Sequence, residues 1–380
     1  MTFTGILRAC LLFGFIPICL VTPVAAQDRR VPVPRVGYEQ VQVVPLQEDT
    51  AIFGWARPVA GGHDLLVARR GRDGAMGEAR RLQGRPGSVR ILDLDEARPA
   101  LVSDGHSLVG AAWFDRQGRL WAARSSDGGR AFGAAMRIDD GPGHAAHAFV
   151  HAAFDDHGDL HVVWLDAREA PDDLEEPAHL YHATLTSDGA TAETDLSSAF
   201  FDSVCGCCRP FVHVDRFGLK IDFRAIDERG YRDVHRRVRR PNGDWAPPVR
   251  IGPPLWKIAA CPMSGPVGDT GAVIWRDGSQ PVDRIVEGWP EGSTVRAILR
   301  PDDRTRAMRS PRWVGGTDRG VLLVPGDPAG WLLQREGAGW TVLTDEAPSW
   351  CTDALRIRDQ ILLVGDEHGR LQLEAYDPYR

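Results

Sequence analysis

The sequence predicts an all-β protein, folded as a β-propeller of six or seven four-stranded blades. Short runs that alternate apolar and polar residues recur along the chain between turn residues, and no long segment has a helical period. An aromatic residue also returns every 51 to 59 residues, as Trp55, Trp113, Trp164, Phe223 and Trp275. A repeat near 50 residues with about four strands is typical of a propeller blade. A β-sandwich, or a pair of sandwiches, is the alternative.

The N-terminus has the pattern of a secretory signal peptide. Arg8 precedes the apolar run ACLLFGFIPICLV, and small residues follow at Val24 and Ala26. We therefore expect cleavage after Ala26, with residues 1–26 as the signal and residues 27–380 as a single propeller domain. The apolar run is short for a membrane span, which needs ~20 residues. These observations predict a periplasmic or secreted protein without a membrane span after cleavage.

The repeating unit is a β-rich run that ends in an aromatic residue, then Asp or Arg, a turn and a second β-rich run. We count seven copies, of which the last two are weaker. They cover residues 51–74, 108–129, 160–189, 219–245, 271–292, 320–340 and 360–377. The seventh copy lacks an outer strand, and we expect the segment RRVPVPRV (29–36) to complete it and close the ring. If the weak copies merge, six blades result.

The charge balance excludes one class of partner. The chain has 45 Lys and Arg against 52 Asp and Glu, a net charge of −7. An acidic protein of this kind is not expected to bind nucleic acid or an anionic membrane.

One copy carries a sharper motif, SSDGGRAF (Ser125–Phe132). It matches the Asp-box S-x-D-x-G-x-x-[WF]. Asp127 is expected to cap the turn between the third and fourth strands, where the glycines permit positive φ. The chain thus resembles the sialidase-like propellers with bacterial neuraminidase repeats over most of its mature length. The motif marks a structural turn and carries no activity by itself.

The propeller topology places the cysteines. Cys205, Cys207 and Cys208 fall between the third and fourth copies, Cys261 between the fourth and fifth, and Cys351 between the sixth and seventh. Blade-to-blade connections share one face with the loops that follow the second strands. We therefore expect these five cysteines to lie on that top face. His144 and His147, in the preceding connection, are weaker candidates for the same group.

Three roles remain open for the cysteines. Cys207–Cys208 and Cys205–Cys207 are strained disulfide pairings, so a structural role would join one cluster cysteine to Cys261 and another to Cys351. Thiolates at 205, 207, 208 and 261 would instead suit a soft metal, with Cu(I) favoured because the chain lacks the paired Cys-x2-4-Cys spacing that zinc prefers. Thiol–disulfide exchange is the third role.

The elements VCGCCRP and WKIAACPMSGP sharpen the resemblance. Together they are similar to a subgroup of exported sialidase-like proteins with a CxCC element followed by a CPxxGP element. That resemblance implies a shared fold and site and no particular activity.

Sialidases bind the substrate carboxylate with three arginines and use a Tyr nucleophile with a Glu partner. If this chain is an exo-glycosidase of that type, the resemblance assigns the triad to Arg168, Arg224 and Arg276. Tyr231 would be the nucleophile and Glu228 its partner. Structural ion pairs with nearby aspartates are the alternative for these arginines.

The function we expect is therefore non-hydrolytic. The protein would bind copper through the cysteine cluster and pass it to, or receive it from, another exported metal-handling protein. A sialidase-type glycosidase and a disulfide-stapled protein-interaction propeller are the alternatives.

Overall fold

The structure is a computed structural model that describes most of the chain from residue 30 onward. The described residues are 30–31, 37–142, 149–168, 177–253, 256–258, 262–268, 271–290, 292, 294–301, 307–315 and 320–378. Within these ranges the only helix is the 3-10 turn η1 (Asp95–Ala97). None of these segments forms a helix long and apolar enough to cross a bilayer. The prediction of an all-β chain is confirmed.

The first four predicted repeats fold as successive antiparallel units, each with its strands hydrogen-bonded in chain order. The first comprises β2 (Glu39–Pro45), β3 (Ala51–Val59), β4 (Gly62–Arg70) and β5 (Ala79–Arg81), with β1 (Arg30–Val31) outside β5. The second comprises β6 (Ala100–Ser103), β7 (Val109–Phe114), β8 (Leu120–Ser125) and β9 (Met136–Arg137). The third comprises β10 (Val150–Phe154), β11 (Leu160–Asp166), β12 (Pro177–Leu185) and β13 (Thr194–Asp195). After the connecting strand β14 (Val204–Cys205), the fourth comprises β15 (Phe211–Asp215), β16 (Gly218–Ile226), β17 (Arg232–Val238) and β18 (Val249–Arg250).

The remaining repeats follow the same plan. The next unit contains β19 (Val267–Gly268), β20 (Val273–Asp277), β21 (Arg284–Gly288) and β22 (Val295–Leu299). The short strand β23 (Ala307–Met308) then pairs with β26 (Gly326–Asp327), beside the unit of β24 (Arg312–Gly315), β25 (Val321–Val324), β27 (Ala329–Glu336) and β28 (Gly339–Pro348). The C-terminal unit contains β29 (Cys351–Ile357), β30 (Gln360–Glu367) and β31 (Arg370–Tyr376).

The repeated aromatic residues lie on the second strand of their units, as the sequence predicts. Trp55, Trp113 and Trp164 are on β3, β7 and β11 and are fully buried. A second strand is covered by neighbouring strands on both edges and by adjacent units on both faces, and every residue of β7 and β11 is buried. Large apolar side chains are favoured at such positions because each removes much surface from water.

The first and last units contact each other. Val41 and Val43 of β2 pack in one core cluster with Leu355 and Val364. The backbone N–H of Gly37 also donates to the carbonyl of Gly369 at 2.7 Å. The two ends of the chain are therefore joined by apolar packing and local hydrogen bonds.

The expected role of the N-terminal segment in completing the last unit is wrong. Arg30 and Val31 pair with Arg80 and Ala79 on β5, the outer strand of the first unit. The C-terminal unit keeps three strands within the described residues. The outer edge of β5 is unpaired without this segment, and alternation alone does not specify which free edge a strand will join.

The Asp-box has the predicted position and role. It connects β8 to β9, the third and fourth strands of their unit. The Asp127 carboxylate accepts hydrogen bonds from Ser125 Oγ at 2.8 Å and from the Ala131 N–H at 2.9 Å. Gly128 and Gly129 have φ of +71° and +77°, which side chains rarely adopt.

Candidate functional site

The cysteine cluster lies at the junction of the third and fourth units. The two-residue strand β14 is hydrogen-bonded between β12 and β16, with Cys205 opposite Pro177 and Val204 opposite Ala225. This bridging strand fixes the backbone from which the cluster starts. Cys205, Cys207 and Cys208 are all at most 2% exposed.

The three sulfurs form one compact group, within 4.8 Å of one another. Cys205 Sγ is 3.0 Å from Cys208 Sγ and 3.6 Å from Cys207 Sγ. Cys207 is disulfide-bonded, whereas Cys205 and Cys208 are free thiols. The disulfide withdraws Cys207 from the thiolate donors, so the structure offers a pair of thiols at this site.

The free pair has a spacing that the sequence reasoning missed. Cys205 and Cys208 are the ends of a Cys-x-x-Cys motif, CGCC, whose third residue happens to be another cysteine. The backbone N–H of Cys208 donates to the carbonyl of Cys205 at 3.2 Å, which closes the turn and brings the two sulfurs together. The intervening Cys207 obscures this motif, although the three-residue spacing of Cys205 and Cys208 is visible in the sequence.

Two buried arginines make the surroundings electropositive. Arg232 Nη1 is 3.4 Å from Cys205 Sγ. Arg224 is 1% exposed and donates to the carbonyls of Ser264 and Arg276 at 3.2 Å, with its guanidinium 5.1 Å from the Trp256 ring. Both arginines lie on strands of the fourth unit, so the sheet register holds them beside the thiols.

The two thiols differ in acidity because their hydrogen bond lowers the pKa of Cys205 and raises the pKa of Cys208. Burial raises the pKa of Cys205, but its hydrogen bond with Cys208 and the charges of Arg224 and Arg232 outweigh this and lower it below its usual range. Burial and the neighbouring Cys205 thiolate raise the pKa of Cys208. Such an arrangement, with one acidic thiol and one that keeps its proton, gives nucleophilic or metal-binding sulfur near neutral pH.

The other predicted ligands divide into two groups. Cys351 is a free, buried thiol that packs in a different core cluster, with Val314, Leu323 and Ala354. Burial raises its pKa to about 12, and its sulfur donates to the carbonyl of Asp353 at 3.3 Å. The second group, Cys261, His144 and His147, lies outside the described residues.

The structure brings together only two of the three arginines proposed as a triad. Arg168 is held by Asp166 at 2.8 Å and by Glu193 at 2.5 Å, in the third unit. Arg224 and Arg276 meet at Trp256, where both guanidinium groups lie over the same ring.

Arg276 and the suggested nucleophile pair are also placed by local contacts. Arg276 binds the Met308 carbonyl at 2.8 Å and Asp283 at 3.1 Å. Tyr231 and Glu228 lie in the single turn between β16 and β17, where the Tyr231 ring faces Lys257 at 5.9 Å.

A broad cleft opens beside the thiol pair. It has a volume of about 970 Å³ and is lined by residues that include Phe200, Ser203, Glu228 and Arg232. Arg232 thus lines the cleft on one side and contacts Cys205 on the other. Phe200, at the cleft, is 45% exposed. Arg232 is therefore a contact shared by the buried thiols and this cleft.

The comparisons with known proteins identify the fold. No protein-family model and no curated protein matches the chain. Among solved structures, Pyrococcus horikoshii acylaminoacyl peptidase matches 90% of this chain and 52% of its own, with a TM-score of 0.53 and 9% identity. The β-propeller domain of the Trilobed protease from Pyrococcus furiosus matches 90% of this chain and 94% of its own, at 0.52 and 8%. A Mycobacterium tuberculosis puromycin-hydrolyzing peptidase matches 92% and 55%, at 0.50 and 12%.

Likeness at these identities establishes the architecture alone. The chain spans about half the length of the two peptidases and nearly the whole of the isolated propeller domain. This protein is therefore a β-propeller, and the alternative of a β-sandwich is excluded. Function has to be argued from the site, because one fold serves many activities.

Proposed function

We propose that this protein is an exported, sialidase-like propeller of seven blades that binds monovalent copper through Cys205 and Cys208, for copper homeostasis or delivery. The observation that carries the proposal is the pair of free, buried sulfurs 3.0 Å apart. Thiolate ligands select soft ions, and Cu(I) is a soft ion that two sulfurs can hold. The Asp-box and the seven repeats support the sialidase-like assignment.

The charge of the surroundings favours a thiolate complex. Two thiolates with one Cu(I) ion carry a net charge of −1, which is costly to bury unless it is compensated. Arg232 at 3.4 Å from Cys205 Sγ and the buried Arg224 supply that compensation. Arg224 donates hydrogen bonds to the backbone carbonyls of Ser264 and Arg232, so its position does not depend on the metal.

The disulfide of Cys207 sets the size of the donor set. While it is intact, the site has two thiols; on reduction, Cys207 joins them at 3.6 Å from Cys205. Cys261 is our proposed further ligand in that reduced state, with His144 and His147 as weaker ones, whereas Cys351 packs in a different core cluster and is not part of the proposed site. The cleft beside Arg232 is the proposed approach of a metal-handling partner.

Competition for Cu(I) with a chromophoric chelator tests the proposal. Wild-type protein, purified from the periplasm with its disulfide intact, is expected to retain about one equivalent because one thiol pair makes one site. Cys205→Ser and Cys208→Ser should each abolish retention, whereas Cys351→Ser, a matched buried thiol outside the cluster, should leave it unchanged. Copper retained equally by all four proteins, or by none, refutes copper binding at this pair.

A second candidate, thiol–disulfide exchange, is favoured by the Cys-x-x-Cys spacing and the short distance between the free sulfurs. In this reaction the Cys205 thiolate attacks a substrate disulfide, forms a mixed disulfide and releases one substrate thiol. Cys208 then attacks Cys205, which releases the second substrate thiol and leaves a Cys205–Cys208 disulfide. The substrate disulfide is the oxidant, and it gains the two electrons that the pair loses.

Glutathione redox buffers separate the two candidates. Metal-free protein is equilibrated in them, its thiols are trapped by alkylation, and its mass is measured. A reversible loss of two thiols that disappears in Cys208→Ser supports exchange. If the pair never oxidises, exchange fails while copper binding stands or falls on its own titration. If both tests fail, the disulfide at Cys207 supports the interaction scaffold instead.

A further inference from the structure

A second polar cavity lies next to the cysteine site, where several connections between units meet. We call it the Arg209 cavity. It has a volume of about 70 Å³, and its lining includes Glu96, Arg98, His151, Arg209 and Arg312. These residues come from the connection before β6, from β10, from the segment after β14 and from the start of β24. Positively charged side chains from distant parts of the sequence therefore converge on one small space.

The acidic partner in the cavity is already engaged. Glu96 Oε2 accepts the backbone N–H groups of Arg209 at 3.2 Å and Gly265 at 2.9 Å. Glu96 Oε1 faces Arg312 Nη1 at 3.3 Å, and Arg98 is 3.7 Å from Asp353. Among the described residues, three guanidinium groups thus face two carboxylates, so the positive charges outnumber the negative ones there.

Arg209 is a buried cation with an unused hydrogen-bond donor. It is 6% exposed, and its Nε is buried without a hydrogen-bond partner among the described residues. Arg98 and Arg312 line the same cavity, so their like charges add to the cost of burying this cation. A buried cation with an unused donor is costly unless something compensates it.

His151 contributes a neutral donor. Its Nδ1 accepts the Val212 N–H at 3.3 Å, so the ring proton of the neutral form is on Nε2. Burial, together with Arg209 and Arg98, keeps the pKa of His151 well below its ordinary value and the ring uncharged. The cavity wall therefore combines cationic and neutral hydrogen-bond donors.

Gly265 is required for this arrangement. A side-chain carbon at this position would overlap the Arg209 carbonyl and come within 2.8 Å of Glu96 Oε2. Only glycine lets the backbone approach closely enough to hold Glu96 in place.

We propose that the Arg209 cavity binds one small oxyanion, either inorganic phosphate or the carboxylate of a very small acid. Guanidinium groups recognise both through paired N–H donors. A water molecule occupies about 30 Å³ in the liquid, so a cavity of about 70 Å³ accommodates an ion of a few heavy atoms. The proposal is independent of copper and is tested on metal-free protein.

Isothermal titration calorimetry with sodium phosphate and with sodium formate tests it, each at constant ionic strength balanced with sodium chloride. Wild type is expected to bind about one equivalent of at least one anion saturably, and Arg209→Gln to bind at least about tenfold more weakly. Arg358→Gln is the matched control, since that arginine is exposed and pairs with Asp49 on the surface. It should bind as wild type does.

The outcomes are distinct. Binding of phosphate but not formate assigns an inorganic ion, and the reverse assigns a carboxylate; either supports the site. Should Arg209→Gln not fold, Arg209→Lys keeps the charge without the paired donors and is expected to weaken binding in the same direction. No saturable heat beyond the chloride background, or equal affinities in the wild-type and Arg209 variants, overturns the proposal.

Discussion

Replacing Asp222 by Asn should destabilise the protein in a way that depends on pH. Asp222 of β16 and Arg236 of β17 are cross-strand partners, joined by hydrogen bonds of 2.6 and 2.8 Å. Their side chains are 0% and 3% exposed. The pair lies two residues from Arg224 in the register, on the same two strands that carry both arginines of the thiol site. It therefore anchors the sheet on which that site is built.

The magnitude follows from the pKa and from the charge left behind. Burial raises the pKa of Asp222, but Arg236 and His213 outweigh it and lower the pKa from 3.8 to about 2. A shift of nearly two units is worth roughly 2.5 kcal/mol of stability. Asn also leaves the Arg236 charge buried without its partner, so we expect a loss of about 3 kcal/mol at pH 7.

The sign of the pH dependence is fixed by the lowered pKa. The stabilisation is complete above the unfolded pKa near 4 and is lost as the pH falls through about 2. Urea unfolding followed by tryptophan fluorescence should therefore show the wild type and Asp222→Asn converging as the pH falls from 5 to 2. Asp222→Leu combined with Arg236→Met should recover part of the loss, because it removes both charges. A difference below about 1 kcal/mol at pH 7, or one that is unchanged at pH 2, would refute this reasoning.

Two further changes test other parts of the fold. Asp127→Ala removes the acceptor of the Ala131 N–H and should cost about 1–2 kcal/mol in urea unfolding. Asp188→Ala, in the exposed turn that follows β12, should cost less than about 0.5 kcal/mol. Equal costs would contradict the capping role of Asp127. Asp366→Asn should stabilise the protein at pH 7 by about 1 kcal/mol after discounting for partial exposure, because burial and Glu39 raise the pKa of Asp366 to about 6. A raised carboxyl pKa penalises the native state above that pH, so the gain should vanish below pH 4; a gain that persists at pH 3 in thermal unfolding would show another cause.

The fold was predictable from the sequence because its signals are local and repeated. Trp55, Trp113 and Trp164 mark the central strands since those positions are buried on both faces, and the Asp-box marks a turn in which the hydrogen bonds of the Asp127 carboxylate are local. The same pattern of strands and turns recurs in successive repeats, so each repeat supports the predicted fold independently. The pairing of β1 with β5 was missed because a two-residue strand carries no pattern that distinguishes one edge from another.

The candidate site was predictable only in part. The sequence places Cys205, Cys207 and Cys208 in one group, and the structure confirms that their sulfurs meet. It could not show that Cys207 is in a disulfide, because pairing depends on which chain segments meet in space. The role of Arg232 was missed as well, because an arginine in an arginine-rich strand has no local mark that distinguishes a thiol contact from a surface charge.

The thiol pair and the Arg209 cavity share their supports, so each site constrains the other. Cys208 and Arg209 are consecutive residues, and so are Ser264 and Gly265. Gly265 packs closely against the Arg209 carbonyl. The Ser264 carbonyl accepts Arg224, beside the thiols, while the Gly265 N–H donates to Glu96, beside the cavity. Two short segments are thus tied to both sites at once, through backbone groups that cannot move separately. A change that displaces either segment should therefore disturb both the thiol pair and the Arg209 cavity.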